Sequence, residues 1–260
     1  MTDDFVLVEE RERVTIVTLN RPERRNGLSA GLCNALHANL LKIAETPAQV
    51  VILRGAGRDF CVGGDLSPAA AEEQGGGPPA RISKAYAIPG LLHALPQVTI
   101  AAIDGGCAGA GLGWASACDM RFASTRAKFA TAFIKVGASG DMGLVWSLIR
   151  LVGAARAREL LYFSDKFDAA QALNWGLVTR VFDADTLFTG TLDAASTLAG
   201  YPASALRAMK TNILSAEELA LPSYMEIETA RHLHLASGPE LREGFAAFRA
   251  RQQRDAPEPT

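Results

Sequence analysis

Strands alternating with helices predict an α/β fold with a largely parallel inner sheet. Three observations carry that expectation. Apolar, mostly β-branched runs at 14–19, 50–54 and 98–103 read as strands. Segments with apolar residues at helical spacing separate them. Glycine clusters follow two of the strands, at Gly63-Gly64 and at Gly105-Gly106.

Residues 5–10 alternate and read as a first strand; 14–19 is the second. Asn20-Arg21-Pro22-Glu23 breaks the run. Ser29 suits a helix N-cap, with Leu32, Leu36, Leu40 and Ile43 on one face of a helix reaching about Ala44. Residues 50–54 form a buried strand that Gly55-Ala56-Gly57 ends. Residues 68–80 lack buried periodicity and hold three glycines and two prolines in a row. They read as a lid over a ligand or as a plain loop insertion. A helix is expected over 82–95, a strand over 98–103 and a short strand over 120–123. From Leu144 the pattern is helical, apart from a strand near 177–181. Three tail helices are expected at 206–214, 225–235 and 241–251. The last carries Phe245 and Phe248 on a face that needs a partner surface. The acidic, proline-bearing end at 255–260 is expected to fray.

Composition excludes several classes. The formal charge of -2 over 260 residues leaves no footprint for nucleic acid or an anionic membrane. The apolar stretches are too short to span a bilayer. The amino terminus is acidic and lacks secretory signal features, so a cytoplasmic protein is expected. Cys33, Cys61, Cys107 and Cys118 have no metal-ligand spacing and read as buried thiols. His232 and His234, two apart, point to different faces of a helix; His37 and His93 are isolated. No metal site is expected.

The glycine turns are where chemistry is expected. A strand that runs into a tight glycine turn and then a helix leaves outward-pointing N–H groups. If the turns at 61–65 and 109–113 converge, each offers one N–H into a single cleft. Two such donors stabilise the enolate oxygen of a thioester.

The chain resembles the enoyl-CoA hydratase/isomerase (crotonase) superfamily from about Val14 to Arg251. The resemblance is carried by Leu19-Asn20-Arg21-Pro22 with Arg25-Asn26, Phe60-Cys61-Val62-Gly63-Gly64-Asp65-Leu66, and Ala102-Ile103-Asp104-Gly105 with the segment 109–119. Ala127-Lys128-Phe129, Arg150-Leu151-Val152-Gly153 and Glu243-Gly244-Phe245 continue it. It implies a crotonase-like spiral of ββα units over 1–200 that binds a coenzyme A thioester. It also implies a helical trimerisation region over 201–260 that builds homotrimers or homohexamers. No separate cofactor is implied, since coenzyme A arrives as part of the substrate. The implied oxyanion hole is Gly64 with Ala110. The implied coenzyme A contacts are Arg24, Arg25, Asp65 and Leu66; the two arginines alternatively form a solvated basic turn.

Departures from the family pattern narrow the chemistry. The two glutamates that family hydratases set across the substrate fall on Gly113 and Phe133, and neither residue moves a proton. Asp141 aligns with the aspartate that some family isomerases use as a proton shuttle. Flanking glycines and the apolar Met142, Leu144, Val145 and Trp146 would desolvate it and raise its pKa. Its alternative role is to cap the helix that follows. Asp104 and Asp119 read as structural; Glu72 and Glu73 sit on the 68–80 loop. Trp114 and Phe133 line an apolar acyl pocket or belong to the core. The expected function is enoyl-CoA isomerisation in which Asp141 takes a proton from the γ-carbon of a β,γ-enoyl-CoA and returns it at the α-carbon. Hydration, C–C cleavage, thioester hydrolysis and a non-catalytic thioester-binding subunit are the alternatives.

Overall fold

The computed structural model describes residues 4–65 and 83–254. The expected lid at 68–80, Leu66, Glu72, Glu73 and the end at 255–260 lie outside the described residues, as does the side chain of Phe248. Contacts divide the chain into units Met1–Ala199 and Gly200–Thr260.

The first unit is built on a sheet. The hairpin β1 (Val6–Arg11) and β2 (Val14–Leu19) pairs antiparallel. Then β2 runs parallel to β3 (Val50–Gly55), β3 to β4 (Val98–Ile103), β4 to β6 (Met120–Ser124) and β6 to β9 (Arg180–Phe182). The helices α1 (Ala30–Ala44) and α2 (Ser83–Ala94) make the crossovers that parallel pairing requires. Ser29 caps α1 as expected, its side chain accepting from the Leu32 N–H at 3.2 Å.

The inner strands are apolar at nearly every position because both faces are covered. Val17, Leu19, Val51, Leu53, Ala101 and Ile103 belong to a core shared with α1 and α2. The alternate positions, Val14, Ile16, Val50, Ile52, Ile100 and Ala102, pack with Leu187 and Ala195 of a later helix (Leu187–Ala199). A period of two thus divides one strand sequence between two cores.

A second, small sheet is made of β5 (Gly106–Ala108), β7 (Lys128–Ala130) and β8 (Phe167–Asp168). It was not expected from the sequence, since two- and three-residue strands carry no alternation. Helix α3 (Ala110–Ala117) follows β5 directly and is buried along its whole length. Helix α4 (Leu144–Phe163) packs on α3 and breaks helical geometry at Gly153, φ +77°. Helix α5 (Ala169–Asn174) is closed by a capping box from Asp168 and Gln171, and α6 is Leu187–Ala199. The strand expected at 177–181 forms at Arg180–Phe182.

Two polar anchors hold the parts that flank the glycine turns. Arg121 is 3% exposed. Its guanidinium donates to the Leu177 carbonyl at 2.7 Å and to the Cys118 carbonyl, just after α3, at 2.7 Å. A cation there also suits the negative end of α3. At the other end of the sheet, Asn26 is fully buried. Its amide donates to the carbonyls of Ala56 (2.9 Å) and Asp59 (2.7 Å), while its oxygen accepts from the Arg21 N–H (2.8 Å). Beside it, Asp59 accepts from Arg25 at 2.8 and 3.0 Å and from the Gly106 N–H at 2.6 Å.

The second unit consists of α7 (Ala203–Glu218), α8 (Leu221–Ala236) and α9 (Pro239–Arg254). Each is longer than expected. Arg231 on α8 donates to Asn212 (2.9 Å) and Ser215 (3.1 Å) on α7. Met209, Ile213, Leu233 and Phe245 are exposed. No helix among the described residues is long and apolar enough to cross a membrane.

Arg121→Met is expected to lower unfolding free energy by about 2–4 kcal/mol in urea titration, because it strands buried carbonyls. The Arg25 guanidinium and the Gly106 N–H hold the Asp59 carboxyl below the ordinary 3.8, against an opposing effect of burial. A depressed carboxyl stabilises above its unfolded pKa and loses that contribution as pH falls. The stability gap between the protein and Asp59→Asn should therefore be about 1–2 kcal/mol near pH 6 and shrink steadily below pH ~4.

Candidate active site

The two glycine turns converge. Cys61 and Cys107 form a parallel β-bridge, in which the Cys61 N–H donates to the Gly106 carbonyl (3.1 Å) and the Ala108 N–H to the Cys61 carbonyl (3.0 Å). Close approach of this kind demands missing side chains. A Cβ on Gly111 would lie 2.3 Å from the Cys61 carbonyl oxygen. Gly109, at φ +52°, turns the chain from β5 into α3.

Gly64 is fixed from the other side. The Leu28 N–H donates to the Gly63 carbonyl at 2.8 Å and the Asp65 N–H to the Leu28 carbonyl at 3.2 Å. That bridge uses the groups flanking Gly64. Among the described residues, the Gly64 N–H and the Ala110 N–H have no protein acceptor. Gly64 faces open space. Ala110 opens α3, where an N–H has no intrahelical partner. The turns are close neighbours: a Cβ on Gly63 would sit 3.5 Å from the Ala110 nitrogen. Two donors expected from the sequence thus lie on adjoining turns, a geometry able to hold a carbonyl oxygen as it gains charge.

Asp141 lies on a loop packed against α3. A Cβ on Gly113 would fall 2.6 Å from the Met142 Cβ and 3.0 Å from the Met142 carbonyl oxygen. Gly113 is one helical turn past Gly109, whose carbonyl it bonds at 3.0 Å. Phe133 connects the same parts. Its ring comes within 3.9 Å of the Cβ positions of both Gly109 and Gly140.

The Asp141 carboxyl does not cap the helix. The N-cap of α4 is Gly143 and receives no side-chain bond; only the Asp141 backbone carbonyl accepts, from the Leu144 N–H at 3.0 Å. Its Oδ1 is buried and has no hydrogen-bond partner among the described residues. Burial pushes the carboxyl above the ordinary 3.8. Of the four apolar residues expected to desolvate it, Met142 and Leu144 are buried, whereas Val145 and Trp146 are exposed. Met142 is held at φ +52°, strained for a residue with a side chain, and Gly143 follows at φ +68°.

The remaining expected residues divide. Trp114 has no exposed surface and sits in the core cluster rather than on an open wall. Its indole N–H has no partner among the described residues. Arg25 is bonded to Asp59, and Asp65 to Arg21 in an ion pair of 3.2 Å with both side chains 8% exposed. Arg24 is exposed on the turn Pro22–Arg24. Asp104 and Asp119 are structural as expected. Asp104 accepts from Ser124 (2.6 Å) and Arg126, and Asp119 from the Thr99 N–H (2.7 Å) and hydroxyl (3.0 Å). All four cysteines are buried and none forms a disulfide, and burial raises the thiols of Cys33 and Cys61 to about 12. Among the described residues no cluster of histidine, cysteine and acids is placed to hold a metal.

Two contributors and one contact of a residue already named were missed at the sequence level. Asp59 ties the arginine turn to Gly106, Asn26 ties it to β3, and Met142 fills the space beside Gly113. Asn26 follows the Pro22 turn and Asp59 lies 33 positions further on, so no local pattern links the first two. The Met142 contact had no signal either, because it is made by backbone.

Comparisons with known proteins follow this geometry. A model of the family described as enoyl-CoA hydratase/isomerase matches residues 9–256. The 1,2-epoxyphenylacetyl-CoA isomerase of Escherichia coli is 34% identical over 257 residues, covering 96% of this chain and 97% of that one. A probable enoyl-CoA hydratase of Mycobacterium tuberculosis is 34% identical over 250 residues, covering 95% and 96%. The crystal structure of an enoyl-CoA hydratase from Bacillus anthracis superposes with a TM-score of 0.89 at 29% identity, covering 95% of this chain and 96% of that one. The chain belongs to the enoyl-CoA hydratase/isomerase family.

Proposed function

We propose that this chain isomerises the double bond of an enoyl-CoA thioester, with Asp141 as the proton carrier. The observation that carries the reading is the buried, unpartnered Oδ1 of Asp141 on a loop packed one helical turn from Ala110. The thioester carbonyl accepts from the N–H groups of Gly64 and Ala110. Those donors acidify the α-carbon, so the order of steps expected from the sequence reverses. Asp141 takes the α-proton of a β,γ-enoyl thioester. The dienolate is held by the two N–H groups. The same carboxyl then delivers the proton to the γ-carbon, leaving the conjugated α,β-enoyl product.

One carboxyl suffices because the proton leaves and returns without a net change. Hydration needs a second acid–base group and a held water. The two positions expected to supply such groups are Gly113, which abuts Met142, and Phe133, whose ring stands between Gly109 and Gly140. The named relatives span an epoxyphenylacetyl-CoA isomerase, enoyl-CoA hydratases and a chlorobenzoyl-CoA dehalogenase, so the choice rests on the site and not on their names. The exposed cation of Arg24 suits a coenzyme A phosphate. Exposed apolar residues on α7–α9 suit self-association into the expected trimer or hexamer.

Asp141→Asn should lower kcat for a β,γ-enoyl-CoA by about 10²–10⁴-fold, followed as appearance of the conjugated thioester. Its Tm at pH 7 should hold or rise, because a half-buried carboxylate with an unpartnered oxygen costs the folded state stability once ionised. Wild-type turnover in the Asn variant would defeat the reading. The base must be ionised to act. A raised carboxyl pKa therefore predicts that kcat/KM falls on the acid side with an apparent pKa above 3.8.

A further inference from the structure

Gly113 and Met142 form a contact in which neither partner has room to spare. The Gly113 Cα belongs to α3, whose first N–H is the proposed oxyanion donor. Met142 belongs to the turn that presents Asp141. A single methyl on Gly113 would overlap the Met142 Cβ at 2.6 Å and crowd its carbonyl oxygen at 3.0 Å. The second of these atoms is backbone, so no rotamer change relieves the clash. Met142 is 5% exposed and already strained at φ +52°, and the turn closes through the Leu144 N–H to the Asp141 carbonyl at 3.0 Å. The turn therefore has little freedom to give way except as a body, carrying Asp141 with it.

We infer that Gly113 is a positioning residue: by lacking a side chain it lets the Met142 backbone seat against α3, and that seat sets the Asp141 carboxyl relative to the oxyanion turn. The consequence is directional. Any side chain at 113 pushes the 141–143 turn outward, separates the acid from the donors and opens the carboxyl to water. A glutamate there would not fit beside Asp141; the two arrangements exclude each other. This inference rests on Asp141 being the proton carrier of the proposed isomerisation.

The test is a double-mutant cycle on the purified full chain. Gly113→Ala adds the methyl. Met142→Gly removes the Cβ it would strike and relieves the positive φ. The readouts are kcat and KM with a β,γ-enoyl-CoA and the titration of the Asp141 carboxyl. That titration is followed by NMR with carbon-labelled aspartate, the signal assigned by its loss in Asp141→Asn. Gly113→Ala should lower kcat by about 10²-fold, as expected for a small misplacement of a reacting group, with KM changed by less than about two-fold. Its Asp141 titration should move down toward the ordinary carboxyl range as water gains access. The double variant should recover kcat by about ten-fold or more over Gly113→Ala, and restore the raised titration. A folded Gly113→Ala with unchanged kcat and unchanged Asp141 titration overturns the inference. So does a double variant that recovers neither. If the wild-type chain proves inactive on enoyl-CoA, the functional reading fails, while the Asp141 titrations still decide whether Gly113 sets the carboxyl.

Discussion

The backbone pairing of Cys61 with Cys107 is the constraint on which the rest of the site depends. It joins the ends of two strand–turn segments that are 46 positions apart and sets the turns carrying the Gly64 and Ala110 N–H groups side by side. Such a joint tolerates almost no side-chain volume. That explains why Gly111 must lack a Cβ beside the Cys61 carbonyl. The thiols here are small fillers. Burial keeps them protonated, so they add packing without adding a competing nucleophile next to a thioester.

Around that joint the charged side chains are spent on scaffolding. Arg21 gives one nitrogen to the Gly27 carbonyl at 2.6 Å and another to Asp65. Asn26 and Asp59 continue the same network toward β3 and Gly106. On the far side Arg121 gathers carbonyls at the end of α3. These groups fix the backbone around the turns, which suits the proposed oxyanion hole of main-chain N–H groups. Buried polar networks of this kind are worth little as stabilisers on balance but leave few alternative arrangements once satisfied. The site therefore gains rigidity where the donors are. Asp141, by contrast, keeps a buried Oδ1 with no hydrogen-bond partner among the described residues.

Much of this was legible in the sequence, for physical reasons that differ by element. The parallel sheet was legible because strands covered on both faces, such as 98–103, are apolar at nearly every position, Thr99 being the exception. Helix α1 was legible from the Ser29 cap and its apolar stripe. The second sheet was not, since strands of two or three residues are too short to show alternation. At the site, the two turns were legible from their glycines, whereas Asp141 was singled out by the family resemblance, its glycine-flanked loop adding only the expectation of desolvation. Whether Asp141 capped a helix was open, because a cap and a buried acid share the same local sequence; the Gly143 cap resolves it. Trp114 read equally as pocket wall or core, and burial places it in the core. The pairing of Arg25 with Asp59 and of Arg21 with Asp65 needed the fold to bring distant segments together. The Met142 contact was invisible for a deeper reason: what matters there is an absent side chain at 113 and a carbonyl at 142, and neither is written as a residue type.

Strain and an unpartnered charge concentrate within three residues, 141 to 143. Met142 takes a backbone conformation that side chains disfavour, and Asp141 keeps a buried oxygen without a donor. Left to stability alone, either would be relieved cheaply: glycine at 142, or asparagine at 141. Both costs are sustained by what surrounds them, because Leu144 and Leu148 anchor the start of α4 in the core and α3 blocks retreat on the other side. The sheet and its buried helices thus supply the surplus that holds one carboxyl in an environment it disfavours. An acid so held is readily protonated and, having no partner to give up, transfers that proton with little reorganisation. Those are the properties a single group must have if it is to remove a proton from one carbon and return it to another on the same face of a bound thioester.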